Sequence, residues 1–219
     1  MRRIEIGKKA AFPFCRGQSI DSTAIAIVNH RVVPLPDAWT PNPKSETWKQ
    51  DSEQRFDLVH LERLPLGMSY VTQVQAVADI LQREPLRSIV PDLVLDQSGV
   101  GAGIADIAEN AGLRPNRIVI TSGLEATQHG ARTWHVSKQL LISRLEAAMH
   151  TGELHVADAL KENDAFREEL QNFERYTSQA GRISFSARSG AHDDIVLAVA
   201  ISVWFSCHRP HTSREELQI

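Results

Sequence analysis

Apolar positions recur along this chain with two different periods. Tyr70–Gln82 places Val71, Val74, Val77, Ala78 and Leu81 on one helical face, and Pro85 follows it. Lys138–His150 does the same with Leu140, Leu141, Leu145 and Ala148 and is closed by Gly152. Ile104–Ala111 predicts a helix closed by Gly112, and Asp164–Tyr176 a charged amphipathic helix with Phe166, Leu170 and Phe173 as its stripe. Between these lie short β-leaning runs: Thr23–His30, Phe56–Leu64, Leu93–Leu95 ending at Asp96, Ile118–Thr121, Leu154–Ala157 and Ile183–Ala187. AAFPFC, upstream of the first run, reads as an edge strand disturbed by Pro13. Asp193–Cys207 is apolar nearly all the way round, which predicts a buried helix. Val33–Asp51 is rich in Pro, Lys, Ser and Trp without periodicity and reads as a loop excursion, and the stretch from Arg209 as a polar tail. Strands come first and then alternate with helices, so the expectation is an α/β fold with a mixed sheet, in one domain over 1–219.

Composition narrows the class without changing that picture. Over 219 residues, 42% hydrophobic and 23% charged is ordinary for a globular protein and excludes a disordered chain or a disulfide scaffold. A formal net charge of −3 argues against a wholly basic nucleic-acid coat protein, but permits a local basic face from Arg114, Arg117, Arg132 and Lys138. Cys15 and Cys207 are far apart and in no metal or redox spacing, so both read as free thiols of a reducing compartment. The apolar run Ile195–Cys207 is shorter than the roughly 18 residues a membrane span needs. AAFPFC is too short and Pro-broken for a signal-peptide core, so the expectation is a cytoplasmic protein without membrane contact.

Two stretches could carry chemistry. In VLDQSGVGAG, Asp96 stands at the carboxyl end of a strand, before a glycine-rich turn into a helix, where ligands of open α/β sheets bind. One reading is a dinucleotide fingerprint, but Ile104 fills the third glycine position. Another is a tight turn in which Asp96 helps cap the helix. In SGAHDDIVLAVAISVW, Asp193 and Asp194 open the buried helix beside His192. Acids there favour a helix start electrostatically. A pair at the edge of the core also calls for a counter-ion, and a divalent cation is a natural one. Were Asp96 and Asp194 to converge, their hard oxygens would suit Mg²⁺ or Mn²⁺.

These stretches, with GQSIDSTAIAIV, IVITSG, WHVSKQLLISRLEAAMHTGEL and EELQNF in the same order and spacing from about Gly17 to Trp204, resemble the nuclease domain of phage terminase large subunits. That family lies in the RNase H-like superfamily. The resemblance implies a central mixed sheet flanked by helices. It implies a two-metal site for hydrolysis of DNA phosphodiesters, with catalytic residues Asp96, Asp193 and Asp194 and with Asp96 and Asp194 as metal ligands. Asp193 and His192 would then support the ligands. Lys138 resembles the family's lysine at a helix start, with Ser137 where proline is common, and it and Arg132 are the candidates for DNA contact. The implied partners are double-stranded DNA and a phage packaging ATPase or portal acting in trans, because no GxxxxGK[ST] stretch exists here; no nucleotide cofactor is expected. One departure stands out: Cys15, in FCRGQS, occupies the first-strand position where the family carries an aspartate. A thiol is a poor ligand for Mg²⁺, so the resemblance implies a weakened site, or a non-catalytic DNA-binding or scaffold module of the same fold, as in a prophage remnant.

Overall fold

The computed structural model describes residues 6–12, 23–41, 48–98, 101–177, 183–187 and 193–208. The chain opens with three strands, β1 (Ile6–Phe12), β2 (Ala24–Pro41) and β3 (Trp48–Arg63), followed by α1 (Tyr70–Leu81) and a short α2 (Leu86–Ile89). It continues through β4 (Asp92–Asp96), α3 (Gly101–Asn110), β5 (Asn116–Thr121), β6 (Ala126–Gln128), β7 (Thr133–Ser137), α4 (Lys138–His150) and β8 (Leu154–Val156). Helix α5 (Asn163–Asn172), strands β9 (Phe173–Thr177) and β10 (Ile183–Ala187), and helix α6 (Asp194–His208) complete it.

Eight strands form one mixed sheet in the order β6-β7-β5-β4-β1-β2-β3-β8, and β9 and β10 pair separately. Strands β1 to β3 run as an antiparallel meander, whereas β4 pairs parallel to β1, β5 to β4 and β7 to β5. The carboxyl ends of β1, β4, β5 and β7 therefore share one edge of the sheet.

Alternation along β2 divides the core into two layers. Ala24, Ala26 and Val28 face the layer that holds α4 and α6, while Ile25 and Ile27 face α1 and α3. β4 divides likewise, with Val94 toward α6 and Leu93 and Leu95 toward α1 and α3. Helix α6 lies over β2 with α4 and α5 against it, so every residue from Asp194 to Ser206 is buried. This is why its sequence lacks an apolar stripe. Each large aliphatic or aromatic side chain enclosed there contributes roughly 1.5–3 kcal/mol. Ser202, inside the apolar run, donates to the Ala198 carbonyl at 2.9 Å and so leaves no bare hydroxyl.

Three expectations are corrected. The stretch 33–51 is for the most part not a loop: β2 and β3 pair from Val33↔Glu53 and Pro34↔Ser52 to Pro41↔Trp48, forming a two-stranded arm beyond β1. The prolines mark a register shift between Pro34 and Trp39 and not the end of pairing. The helix expected over Asp164–Tyr176 ends at Asn172, and Phe173–Thr177 joins β10 instead. FERYT alternates and carries aromatic and β-branched residues, so cross-strand pairing overrides the continuing helical stripe. Finally, β7 was not anticipated; TWHVS is short and half polar, and its pairing between β5 and β6 is what makes it a strand. Cys15, His192 and the tail from Arg209 lie outside the described residues. Among the described residues, no helix is long and apolar enough to cross a membrane.

Candidate functional site

Asp96 is the last residue of β4 and shares a face with Val94, so its carboxylate lies on the α6 side of the sheet, 3% exposed. The turn beyond it is held locally. The Ser98 amide donates to Asp96 Oδ1 at 2.8 Å, and Ser98 Oγ accepts from the Ile120 amide at 2.8 Å, tying the turn to β5. Asp96 thus closes an Asx turn on the residue two ahead. Ile104, where a dinucleotide fingerprint needs glycine, is fully buried and packs α3 against the sheet.

Lys138 reaches the same edge from β7. Ser137 ends the strand and caps α4, its Oγ accepting from the Leu140 amide at 3.1 Å, which places Lys138 at the first helical position. Its Nζ donates to Asp193 Oδ2 at 2.7 Å. Asp193 is the residue before α6, and its carbonyl accepts the first helical bond, from the Leu197 amide at 2.9 Å. Chain segments centred on 96, 138 and 193 therefore converge at the carboxyl edge. Burial pushes the Asp96 carboxyl from 3.8 up to about 6; the Ser98 hydrogen bonds and the Lys138 charge oppose this, and the Asp193 charge adds to it.

Asp194 is 3% exposed, and its charge acts on Glu169 of α5. Glu169 is itself buried. Its Oε2 accepts from the Ile195 and Val196 amides at 2.9 and 3.0 Å, and its Oε1 pairs with Arg63 at the end of β3. Burial raises its carboxyl from 4.5 to about 7, against the pull of the Val196 amide, Arg63 and the Ile195 amide. Sequence reasoning missed Glu169, although a signal existed. It falls three residues after Phe166 and one before Leu170, on the apolar stripe of α5 where a solvated acid has no place.

The expected basic face divides. Arg132 precedes β7 and therefore stands at the amino edge, the length of the strand away from Lys138, and its guanidinium lies 3.7 Å from Glu109. Arg117 pairs with the same Glu109 at 2.6 Å. Lys138 is thus the member of that set at the Asp96 edge.

The carboxylates of Asp96 and Asp193 are hard oxygen donors, and burial is what raises the Asp96 carboxyl, against the Lys138 charge. That chemistry fits a divalent cation of the Mg²⁺ or Mn²⁺ type. Among the described residues, no group of three or more His, Cys, Asp or Glu is gathered at metal-binding distance. A hollow of about 480 Å³ lies elsewhere, between β2, β3 and the α1–α2 corner, and is lined chiefly by apolar groups such as Ile27, Val59 and Ile80.

No protein-family model matches the chain, and no curated protein matches it either. Solved structures do. The large terminase nuclease from thermophilic phage G20c superposes with a TM-score of 0.56 at 20% identity, covering 90% of this chain and 81% of that one. The form of that nuclease with bound magnesium gives a TM-score of 0.56 at 19% identity, with coverage of 90% and 81%. The Mn-soaked human cytomegalovirus terminase nuclease domain gives 0.50 at 14% identity, over 92% of this chain and 83% of that one. The mixed α/β, RNase H-like fold expected from the sequence is the fold observed.

Proposed function

We propose that this chain is a metal-dependent DNA endonuclease domain of the terminase type. The observation that carries the reading is the meeting of Asp96, Lys138 and Asp193, from three distant segments, at the carboxyl edge of a sheet shared with terminase nucleases. Asp96, Asp193 and Asp194 supply the carboxylate oxygens for Mg²⁺ or Mn²⁺, Asp96 and Asp194 being the ligands the resemblance implies. A divalent pair bound there supplies activation of water and neutralisation of the charge developing on the phosphate and its leaving 3′ oxygen.

The protein's own groups do the rest. The Asx turn at Ser98 fixes the Asp96 carboxylate, and its location on β4 keeps it in a rigid element. Lys138 pairs with Asp193 and, at the same edge, would be the group to contact a DNA phosphate. The partner is double-stranded DNA, and the packaging ATPase or portal acts in trans. Cys15 in place of an acid makes the enzyme weak and Mn²⁺-preferring, since Mn²⁺ tolerates the softer neighbour better than Mg²⁺ does.

Nicking of supercoiled plasmid with each metal tests this. Mn²⁺-dependent nicking that disappears in Asp96→Ala and Asp193→Ala is expected. Cys15→Asp is expected to raise Mg²⁺-dependent cleavage. Folded protein that neither nicks nor binds Mn²⁺ would support the non-catalytic DNA-binding or scaffold module instead, a reading favoured by the lack of a three-ligand group among the described residues.

A further inference from the structure

A helix start leaves several backbone amides without intrahelical acceptors, and the residue before the helix ordinarily takes one with its own side chain. In α6 that residue is Asp193, a strongly preferred capping type. Its carboxylate does not act that way. It receives Lys138 at 2.7 Å, while the two amides it would cap, those of Ile195 and Val196, donate to Oε2 of Glu169 at 2.9 and 3.0 Å. One carboxylate oxygen from α5 thus serves both donors. The other oxygen is held by Arg63 of β3, so Glu169 is fixed from two elements and is 5% exposed.

We infer that Glu169 is a positioning residue that caps α6 in place of Asp193, and so leaves the Asp193 carboxylate turned toward Lys138 and Asp96. The inference rests on the nuclease reading for its catalytic meaning, but the capping exchange stands on the hydrogen bonds alone. An acid buried on the apolar stripe of a helix is unfavourable unless its bonds are essential to the fold or the site. The paired aspartates also differ in place. Asp194 is the first residue of the helix and is buried, whereas Asp193 stands at its mouth, partly exposed and paired with Lys138. Without Glu169, the Ile195 and Val196 amides would recruit the nearest acceptor, which is Asp193 itself, and withdraw it from the site.

The experiment pairs Mn²⁺ titration by calorimetry with a thermal double-mutant cycle on the full chain, without metal in the second arm. Glu169→Ala is expected to weaken Mn²⁺ binding at least about tenfold, the equivalent of roughly 1.4 kcal/mol. Glu169→Gln, which keeps an acceptor oxygen for both amides, is expected to stay within about threefold of the native protein. In the cycle, Asp193→Ala is expected to leave the melting temperature nearly unchanged in the native background and to lower it clearly in the Glu169→Ala background, where Asp193 has become the cap. Equal effects of Asp193→Ala in both backgrounds would overturn the inference, as would native Mn²⁺ affinity in Glu169→Ala. Should Glu169→Ala not fold, Glu169→Asp, one methylene too short to reach both amides, replaces it with the same expected and opposing results. If the native protein binds no Mn²⁺, the nuclease reading fails while the thermal cycle still decides the capping exchange.

Discussion

Lys138 and Asp193, 55 positions apart in sequence, are joined by a 2.7 Å hydrogen bond between Nζ and Oδ2 at the mouth of α6. The ammonium pairs with Asp193, and its charge also acts on Asp96. Both side chains remain about a quarter exposed, so the pair adds little to stability, at most about 1 kcal/mol. Lys138→Met is accordingly expected to leave the melting temperature nearly unchanged. It should raise Mn²⁺ affinity severalfold, because no internal cation then repels or must be displaced, while lowering cleavage. Calorimetric titration beside a nicking assay separates the two effects, and weaker Mn²⁺ binding in the variant would refute this account.

Asp96→Asn removes a charge that burial disfavours but keeps an oxygen able to accept from the Ser98 amide. The metal-free variant is expected to be more stable than the native protein at pH 7, by about 1–3 kcal/mol, and to be inactive. Urea denaturation in chelator reads the first effect. A lower midpoint would mean that the Asp96 charge is held by stronger partners than Ser98 and Lys138.

Stability of the metal-free protein should fall as pH rises from about 4 to about 7. Asp96 goes from 3.8 to about 6 and Glu169 from 4.5 to about 7 on folding, so the native state binds more protons than the unfolded chain across that window. The contribution is fully present below the unfolded values and is lost as pH passes through the folded ones. Each group contributes on the order of 3 kcal/mol. Thermal melts in chelator at half-unit pH steps check the slope, and Asp96→Asn should flatten its lower part. A profile rising over the same interval would reverse the assignment.

Val90 is a position unrelated to the site. It follows α2 with φ 45°, a left-handed conformation that a β-branched residue adopts at a cost, and its side chain is 83% exposed. Val90→Gly is expected to stabilise the protein by about 1 kcal/mol, since relief of strain outweighs the freer unfolded chain. The change should appear as a higher urea midpoint with unchanged slope.

What the sequence revealed depended on how local each signal was. Helices α1 and α4 were legible because a stripe and its end signals lie within one segment; α4 runs Lys138–His150 as the spacing predicts, with Gly152 at φ 71° beyond it. Asp96 and Asp194 were singled out because each stands at the mouth of an apolar element, with Asp193 as a support; in the structure it is the Asp193 charge that acts on Asp96, whereas that of Asp194 acts on Glu169. That Lys138 joins them and Arg132 does not depends on strand direction, since β7 carries one at each end. Glu169 was hidden for a similar reason: on α5 it looks like one acid among several, and only the docking of α6 reveals its two amide partners. The β2–β3 arm was masked by prolines, whose effect on pairing depends on whether the ladder can shift around them.

Helix α6 is the last described element of the chain, yet it covers the sheet face carrying Ala24, Ala26 and Val28 and brings Asp193 to Asp96. During synthesis, strands and helices upstream emerge first, while that face still lacks its cover. The acidic centre consequently does not exist in a nascent chain, because residues 96 and 138 are made long before 193. Completion of the hydrophobic core and the meeting of these residues become one event, timed by the emergence of α6 from the ribosome. A product truncated ahead of α6 would expose a sticky apolar surface and would lack Asp193 altogether.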